Sequence, residues 1–187
     1  MADPLENIER YTYEDYLSWP ESLRCELIDG LIYMMASPSL WHQHIVRRLS
    51  IQLSSFLEGK PCQVILSPFD VRLFPDEDNK DTDVVIPDLI VVCDPKKLSD
   101  GKACRGAPDF IIEVLSPSTG KRDLLTKKLL YAQSGVKECW FIDQETLYKC
   151  VLDNGSYTET KIHYLFDREP VPVETLPGCN LDIPIEK

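Results

Sequence analysis

The chain has 187 residues, of which 43% are hydrophobic and 27% charged, and 31 acidic against 20 basic side chains leave a net charge of −11. This composition suits one globular domain spanning residues 1–187 and excludes a uniformly basic nucleic-acid platform, so any phosphate-binding site must be local or use a metal. No segment approaches the roughly 20 apolar residues of a membrane span, and the opening "MADPLENIER" lacks the regions of a secretory signal, so a cytoplasmic location is expected.

In chain order, residues 11–19 read as a short helix and residues 24–35 as a hairpin turning on Asp29-Gly30, because Asp-Gly supplies the positive φ angles of a tight turn. A first long helix follows over residues 40–59, with Trp41, Ile45, Leu49, Leu53 and Phe56 near one side for packing on a sheet, and Gly59 just past its end. Strands are expected at about 62–67, 69–74, 84–93 and 109–115. A second helix runs from Lys121 to Ser134 and stops at Gly135, and "KECWFID" forms another strand. Residues 147–165 read as a hairpin turning at Asn154-Gly155, where Asn-Gly-Ser marks a turn, and residues 171–185 as an extended tail. The order predicts one mixed sheet with helices on its faces.

Cysteines 25, 62, 93, 104, 139, 150 and 179 form no C-x-x-C pair and are odd in number, which argues against a zinc cage and a disulfide framework and for small core residues in a reducing compartment.

The apolar runs carry two misplaced charges. Asp88 follows Pro87 in "VVIPDLIVVC", and Glu113 interrupts "PDFIIEVL", where an unpaired carboxylate is costly. If the two strands are neighbours, the acids converge, close enough for one Mg²⁺ or Mn²⁺ to be held by both with positions left open for a phosphate. Glu26, in "CELIDG", is a third candidate, although alternation in the hairpin does not establish that it points inward. A lysine near the attacking water would complete a phosphodiester-hydrolysing set. On the second helix Leu124, Leu125, Leu129 and Ala132 share a broad face with Lys128, whereas Lys127 lies in a row with Asp123 and Tyr131, so spacing leaves Lys127 and Lys128 both open.

The ordered set "ELIDG" (26–30), "PSLWHQHI" (38–45), "IPDLIVV" (86–92), "APDFIIEVLSPST" (107–119), "DLLTKKLLY" (123–131) and "GVKECWFID" (135–143) resembles the Uma-two family of restriction-endonuclease-like proteins, within the PD-(D/E)XK nuclease superfamily. The resemblance covers the chain from about Tyr11 to Asp143 and is weak beyond residue 150. It implies that Asp88 is the acid of the "PD" motif, Glu113 the acid of the next strand and Glu26 the acid of the N-terminal element. The family's helix row of acid, Lys and Tyr falls on Asp123, Lys127 and Tyr131, which favours Lys127. The superfamily's usual lysine position, two residues after the acid, is Leu115 here, so the resemblance implies a lysine relocated to the helix.

Other residues carry less weight. Asp109, at a strand start, reads as a pairing or turn residue. His42 matches a recurring family position, but His42, His44 and the remote His163 form no metal cluster, and Ser116 in "LSPS" is not in a G-x-S-x-G elbow. The expectation is a restriction-endonuclease-like α/β fold, with a central mixed sheet flanked by helices and additional hairpins. The expected activity is a Mg²⁺- or Mn²⁺-dependent nuclease acting on DNA, with Asp88 and Glu113 as metal ligands and Glu26 and Lys127 assisting. The different-class alternative is a non-catalytic nucleic-acid- or protein-binding module of the same fold. A homodimer is expected through the strands after residue 146.

Overall fold

The computed structural model describes residues 9–20, 22–116 and 120–183. Helix α1 (Tyr13–Leu17) starts at a reciprocal cap, in which the Thr12 hydroxyl accepts from the Asp15 amide and the Asp15 carboxylate accepts from the Thr12 amide. Strands β1 (Cys25–Ile28) and β2 (Leu31–Met34) form the expected hairpin, with Asp29 and Gly30 both at positive φ. Glycine is required at position 30 for a second reason: a Cβ there would lie 2.9 Å from the Cβ of Arg10. Helix α2 (Leu40–Leu57) is capped by Ser39 and buries Ile45, Leu49, Leu53 and Leu57.

The expected strand over 84–93 is in fact two. Strands β3 (Gln63–Leu66), β4 (Asp70–Arg72), β5 (Val84–Val85) and β6 (Leu89–Val92) fall into different sheets, with β4 and β5 in one and β3 and β6 in the other. The chain changes sheet at Ile86-Pro87-Asp88, where Pro87 has no N–H for a ladder and the Ile86 N–H is taken by Glu26 Oε1 at 2.8 Å. Strand β7 (Ala103–Arg105), unforeseen in the sequence, pairs parallel to β4. Strand β8 (Phe110–Val114), helix α3 (Gly120–Ser134) and strand β9 (Glu138–Ile142) make a crossover unit whose strands pair in parallel. Strands β10 (Thr146–Val151) and β11 (Thr160–Tyr164) extend that sheet as a hairpin with Asn154 and Gly155 at its tip. Strands β12 (Val171–Pro172) and β13 (Asn180–Leu181) pair with each other.

The result is a mixed six-stranded sheet, β11-β10-β9-β8-β6-β3, beside a five-stranded sheet, β2-β1-β5-β4-β7. Alternation along β6, β8 and β9 sends Leu89, Val91, Phe110, Ile112 and Trp140 toward α2, while Ile90, Ile111, Cys139 and Phe141 pack with Leu130 and Tyr131 of α3 and with Val71 and Val85 of the smaller sheet. A single mixed sheet was expected. Two form because both faces of the larger one are apolar, and the smaller sheet shares the cover of the second face with α3.

The cysteine reading needs one correction: Cys62 and Cys93 are disulfide-bonded. They lie one step beyond the paired residues Gln63 and Val92 of β3 and β6, so the register sets them face to face although 31 positions separate them in sequence. The other five cysteines are free and buried, as expected.

The loop between β4 and β5 is fixed by Arg72, which is buried, donates to both oxygens of Asp81 at 2.9 and 2.5 Å, and lies 4.2 Å from the centre of the Tyr13 ring. Asp81→Ala leaves that guanidinium buried without its counter-charge and should cost roughly 3–5 kcal/mol in urea unfolding. A loss below about 1 kcal/mol, the value of an exposed pair, would show that the loop does not depend on it.

Candidate active site

At the junction of the two sheets the chain brings together three carboxylates and one lysine. Strand β1 is covered on both faces, so Glu26 is buried along with its neighbours. Glu26 Oε1 accepts from the Ile86 amide and from Lys127 Nζ, each at 2.8 Å. Lys127 Nζ also donates to Glu113 Oε1 at 3.0 Å, and the Tyr131 hydroxyl donates to that same oxygen at 2.5 Å. Glu26, Glu113 and Lys127 are each only 6–7% exposed.

Asp88 completes the group. Extending the β6–β8 register beyond Leu89 and Ile112 sets Asp88 beside Glu113 on adjoining strands. Its Oδ2 accepts from the Val114 amide at 2.7 Å, and its Oδ1 lies 3.0 Å from His42 Nε2 in the first turn of α2.

The helix face differs from the wheel reading, and the difference selects the lysine. Leu125 and Leu129 are exposed, whereas Lys127, Leu130 and Tyr131 are buried. The polar demand of Glu113 and Glu26 overrides the leucine periodicity, because two buried acids without a donor cost more than two leucines left in water. Lys128 points elsewhere and donates to Thr160 Oγ1 at 2.6 Å. Asp109 behaves as a strand-start residue, accepting from the Cys93 amide and from Lys137. His163 is half-buried on β11, away from the cluster, and its Nε2 has no hydrogen-bond partner among the described residues. Leu115 and Ser116 are described, but Pro117, Ser118 and Thr119 of the "LSPST" segment lie outside the described residues.

The charges are unbalanced. Burial works against a charge on Lys127, but Glu113 and Glu26 more than offset it and raise its pKa, so the lysine is firmly protonated. One lysine cannot serve three acids. Burial, reinforced by the charges of Asp88 and Glu26 and only partly relieved by Lys127, pushes Glu113 up to about 7. Burial also opposes a charge on His42, yet its bond to Asp88 and the charges of Asp88 and Glu113 raise its pKa.

These residues fit a divalent cation. Glu113 Oε1 is taken twice, while Oε2 accepts no hydrogen bond among the described residues. Neighbouring Asp88 and an excess of negative charge are what a hard cation with one or two carboxylate ligands requires. A larger protein-only cage is not formed: among the described residues no three His, Cys, Asp or Glu side chains are grouped to hold a metal. Sequence reasoning gave His42 little weight and did not give Tyr131 a role. The prior signals were the match of His42 to a recurring family position and Tyr131's place one turn after Lys127.

The Uma2 family, described as "Putative restriction endonuclease", matches residues 13–184. The chain belongs to the Uma2 family. A relative in sequence, "Uncharacterized protein slr1290" from Synechocystis, is 32% identical over 137 residues, covering 71% of this chain and 68% of that protein. A crystal structure of "a putative nuclease belonging to DUF820" from Anabaena variabilis superposes with a TM-score of 0.73 at 21% identity, covering 92% of the Uma2 chain here and 94% of the other, so the two share a fold.

The raised pKa of Glu113 makes a measurable demand on the metal-free protein. Against an ordinary value of 4.5, a folded-state value of about 7 gives stability that is complete below about pH 4.5 and lost as pH rises through 7, on the order of 3 kcal/mol. In EDTA the parent's melting temperature should therefore fall between pH 5 and 8. Glu113→Gln, neutral throughout, should fall markedly less. Parallel profiles would show that Glu113 is ionised in the folded protein at both ends of the range.

Proposed function

We propose that this Uma2 protein is a Mg²⁺- or Mn²⁺-dependent endonuclease that hydrolyses DNA phosphodiester bonds. The supporting observation is the unbalanced cluster of Glu26, Asp88 and Glu113 around a single buried lysine, with Oε2 of Glu113 accepting no hydrogen bond among the described residues. Asp88 and Glu113 would hold the cation, which when bound acidifies water and stabilises negative charge on a phosphate oxygen. Lys127 stays protonated, so it acts as a donor and a positive charge, not as a base. Two of its three N–H groups are committed to Glu26 and Glu113, which leaves one for a water or a phosphate oxygen as charge builds in the transition state. Tyr131 and Lys127 together hold one oxygen of Glu113 and so orient the other. Glu26 assists at one remove, by fixing Lys127 and the backbone that leads into Asp88.

The reading includes a single domain over residues 1–187, a homodimer and a cytoplasmic setting. Shared packing of Val71 and Val85 with Ile111 and Phe141 supports the first. Edge strand β11 supports the second, because Ile162 and Tyr164 on it and Phe166 just beyond are exposed, with the last two rings stacked. Five buried free thiols favour a reducing compartment, against which the Cys62–Cys93 bridge is the opposing feature. Among the described residues no helix is long and apolar enough to cross a membrane.

A second reading, a nucleic-acid- or protein-binding module without activity, is favoured by the burial of Lys127, since a lysine bonded to two carboxylates also serves as a structural tie. Incubation of the purified protein with supercoiled plasmid and with single-stranded DNA separates the two. The nuclease nicks or linearises DNA with Mg²⁺ or Mn²⁺, stops in EDTA, and loses activity in Asp88→Ala and Glu113→Ala. A folded parent that cuts neither substrate with either metal favours the binding module.

A further inference from the structure

We infer that His42 is a positioning residue that locks the Asp88 carboxylate in the orientation it needs to bind a cation. This rests on the metal-site reading above and adds to it a residue outside the acid and lysine set. His42 starts from a fixed point: it lies in the first turn of α2, and its backbone N–H is held by the Ser39 cap at 3.2 Å. From there Nε2 comes within 3.0 Å of Asp88 Oδ1, while the opposite oxygen, Oδ2, accepts from the Val114 amide at 2.7 Å. One donor comes from a helix and the other from a strand, so the carboxylate is gripped on both oxygens and cannot rotate about Cβ–Cγ without breaking one bond. A carboxylate has about four lone-pair sites, and these two donors occupy one on each oxygen.

Among the described residues the ring has no other polar partner. Nδ1 is buried and without a hydrogen-bond partner among the described residues, so Asp88 is the imidazole's one polar contact there. A buried nitrogen left unsatisfied is a cost that a purely structural histidine, placed to satisfy its surroundings, does not carry. Donation to Oδ1 also fixes the tautomer, with the proton on Nε2. The need for such a donor follows from the lysine: Lys127 reaches Glu26 and Glu113, and among the described residues no lysine or arginine is paired with Asp88. The acid that lacks a lysine is the one that receives a histidine. Groups that orient a ligating side chain from behind typically change metal affinity by about 10- to 100-fold when removed.

The test is Mn²⁺ binding by the full chain at constant pH, followed by the electron-paramagnetic-resonance signal of the free ion, for the parent, His42→Ala and His42→Gln. Glutamine places its amide Nε2 at nearly the reach of the imidazole Nε2 and keeps the donor. The expected result is Mn²⁺ affinity about 10- to 100-fold weaker in His42→Ala, with substantial recovery in His42→Gln and EDTA melting temperatures close to the parent's. Equal affinity in the parent and His42→Ala overturns the inference and leaves the metal site intact. A loss that glutamine does not recover also overturns it, because the ring's bulk and not its N–H would then be what matters. A parent that binds no Mn²⁺ removes the metal-site reading itself, and the inference with it.

Discussion

Lys127 brings one positive charge to a place where two carboxylates, Glu26 and Glu113, are buried and a third, Asp88, is half-buried beside them. Its bonds to Glu26 on β1 and Glu113 on β8 join the two sheets through α3, so the ion pair is both a structural tie and the source of the site's electrostatics. The contrast with Arg72 and Asp81 is informative. There, one buried cation meets one buried acid with both oxygens engaged, and nothing is left over. Around Lys127 the acids outnumber the base, and burial, reinforced by that excess, raises the pKa of Glu113. A fold needing only a tie would be more stable with a balanced pair, since each surplus buried carboxylate weakens it.

The same junction explains where the surplus sits. The chain leaves the smaller sheet at Val85 and enters the larger at Leu89, and the three residues between lie outside the named strands, with the Asp88 carbonyl accepting from the Ser67 amide at 3.1 Å. Glu26 satisfies the Ile86 amide, Pro87 has none to satisfy, and Asp88 turns its own carboxylate to the Val114 amide of the next strand. Side chains thus replace ladder hydrogen bonds where two sheets part, and the polar cluster occupies the gap in an otherwise apolar interior.

Much of this was legible in the sequence, and the exceptions have physical causes. Asp29-Gly30, Gly59 and Gly135 marked element ends because positive φ is a local demand. Asp88 and Glu113 stood out because charge inside an apolar run is rare. The division into two sheets was hidden, since "VVIPDLIVV" is apolar on either side of Pro87 and only the long-range bond from Glu26 to Ile86 shows why the strand breaks there. The leucines of α3 left its buried face open, because Lys127 and Tyr131 answer to an acid on another element, and a helical wheel contains no such partner. His42 and the Cys62–Cys93 bridge were obscure for the same reason: each depends on a residue more than 30 positions away, brought close by the packing of α2 in the first case and by strand register in the second.

The central claim, that the surplus charge beside Lys127 is there to hold a cation, is tested most directly by diffraction from crystals grown with Mn²⁺, using its anomalous signal to locate the ion. The account predicts one peak at about 2.1–2.2 Å from an oxygen of Asp88 and from Oε2 of Glu113, with Lys127 still bonded to Oε1. A crystal in which Mn²⁺ binds only elsewhere, with the Glu26–Lys127–Glu113 tie intact and a water or nothing beside Asp88, would contradict it.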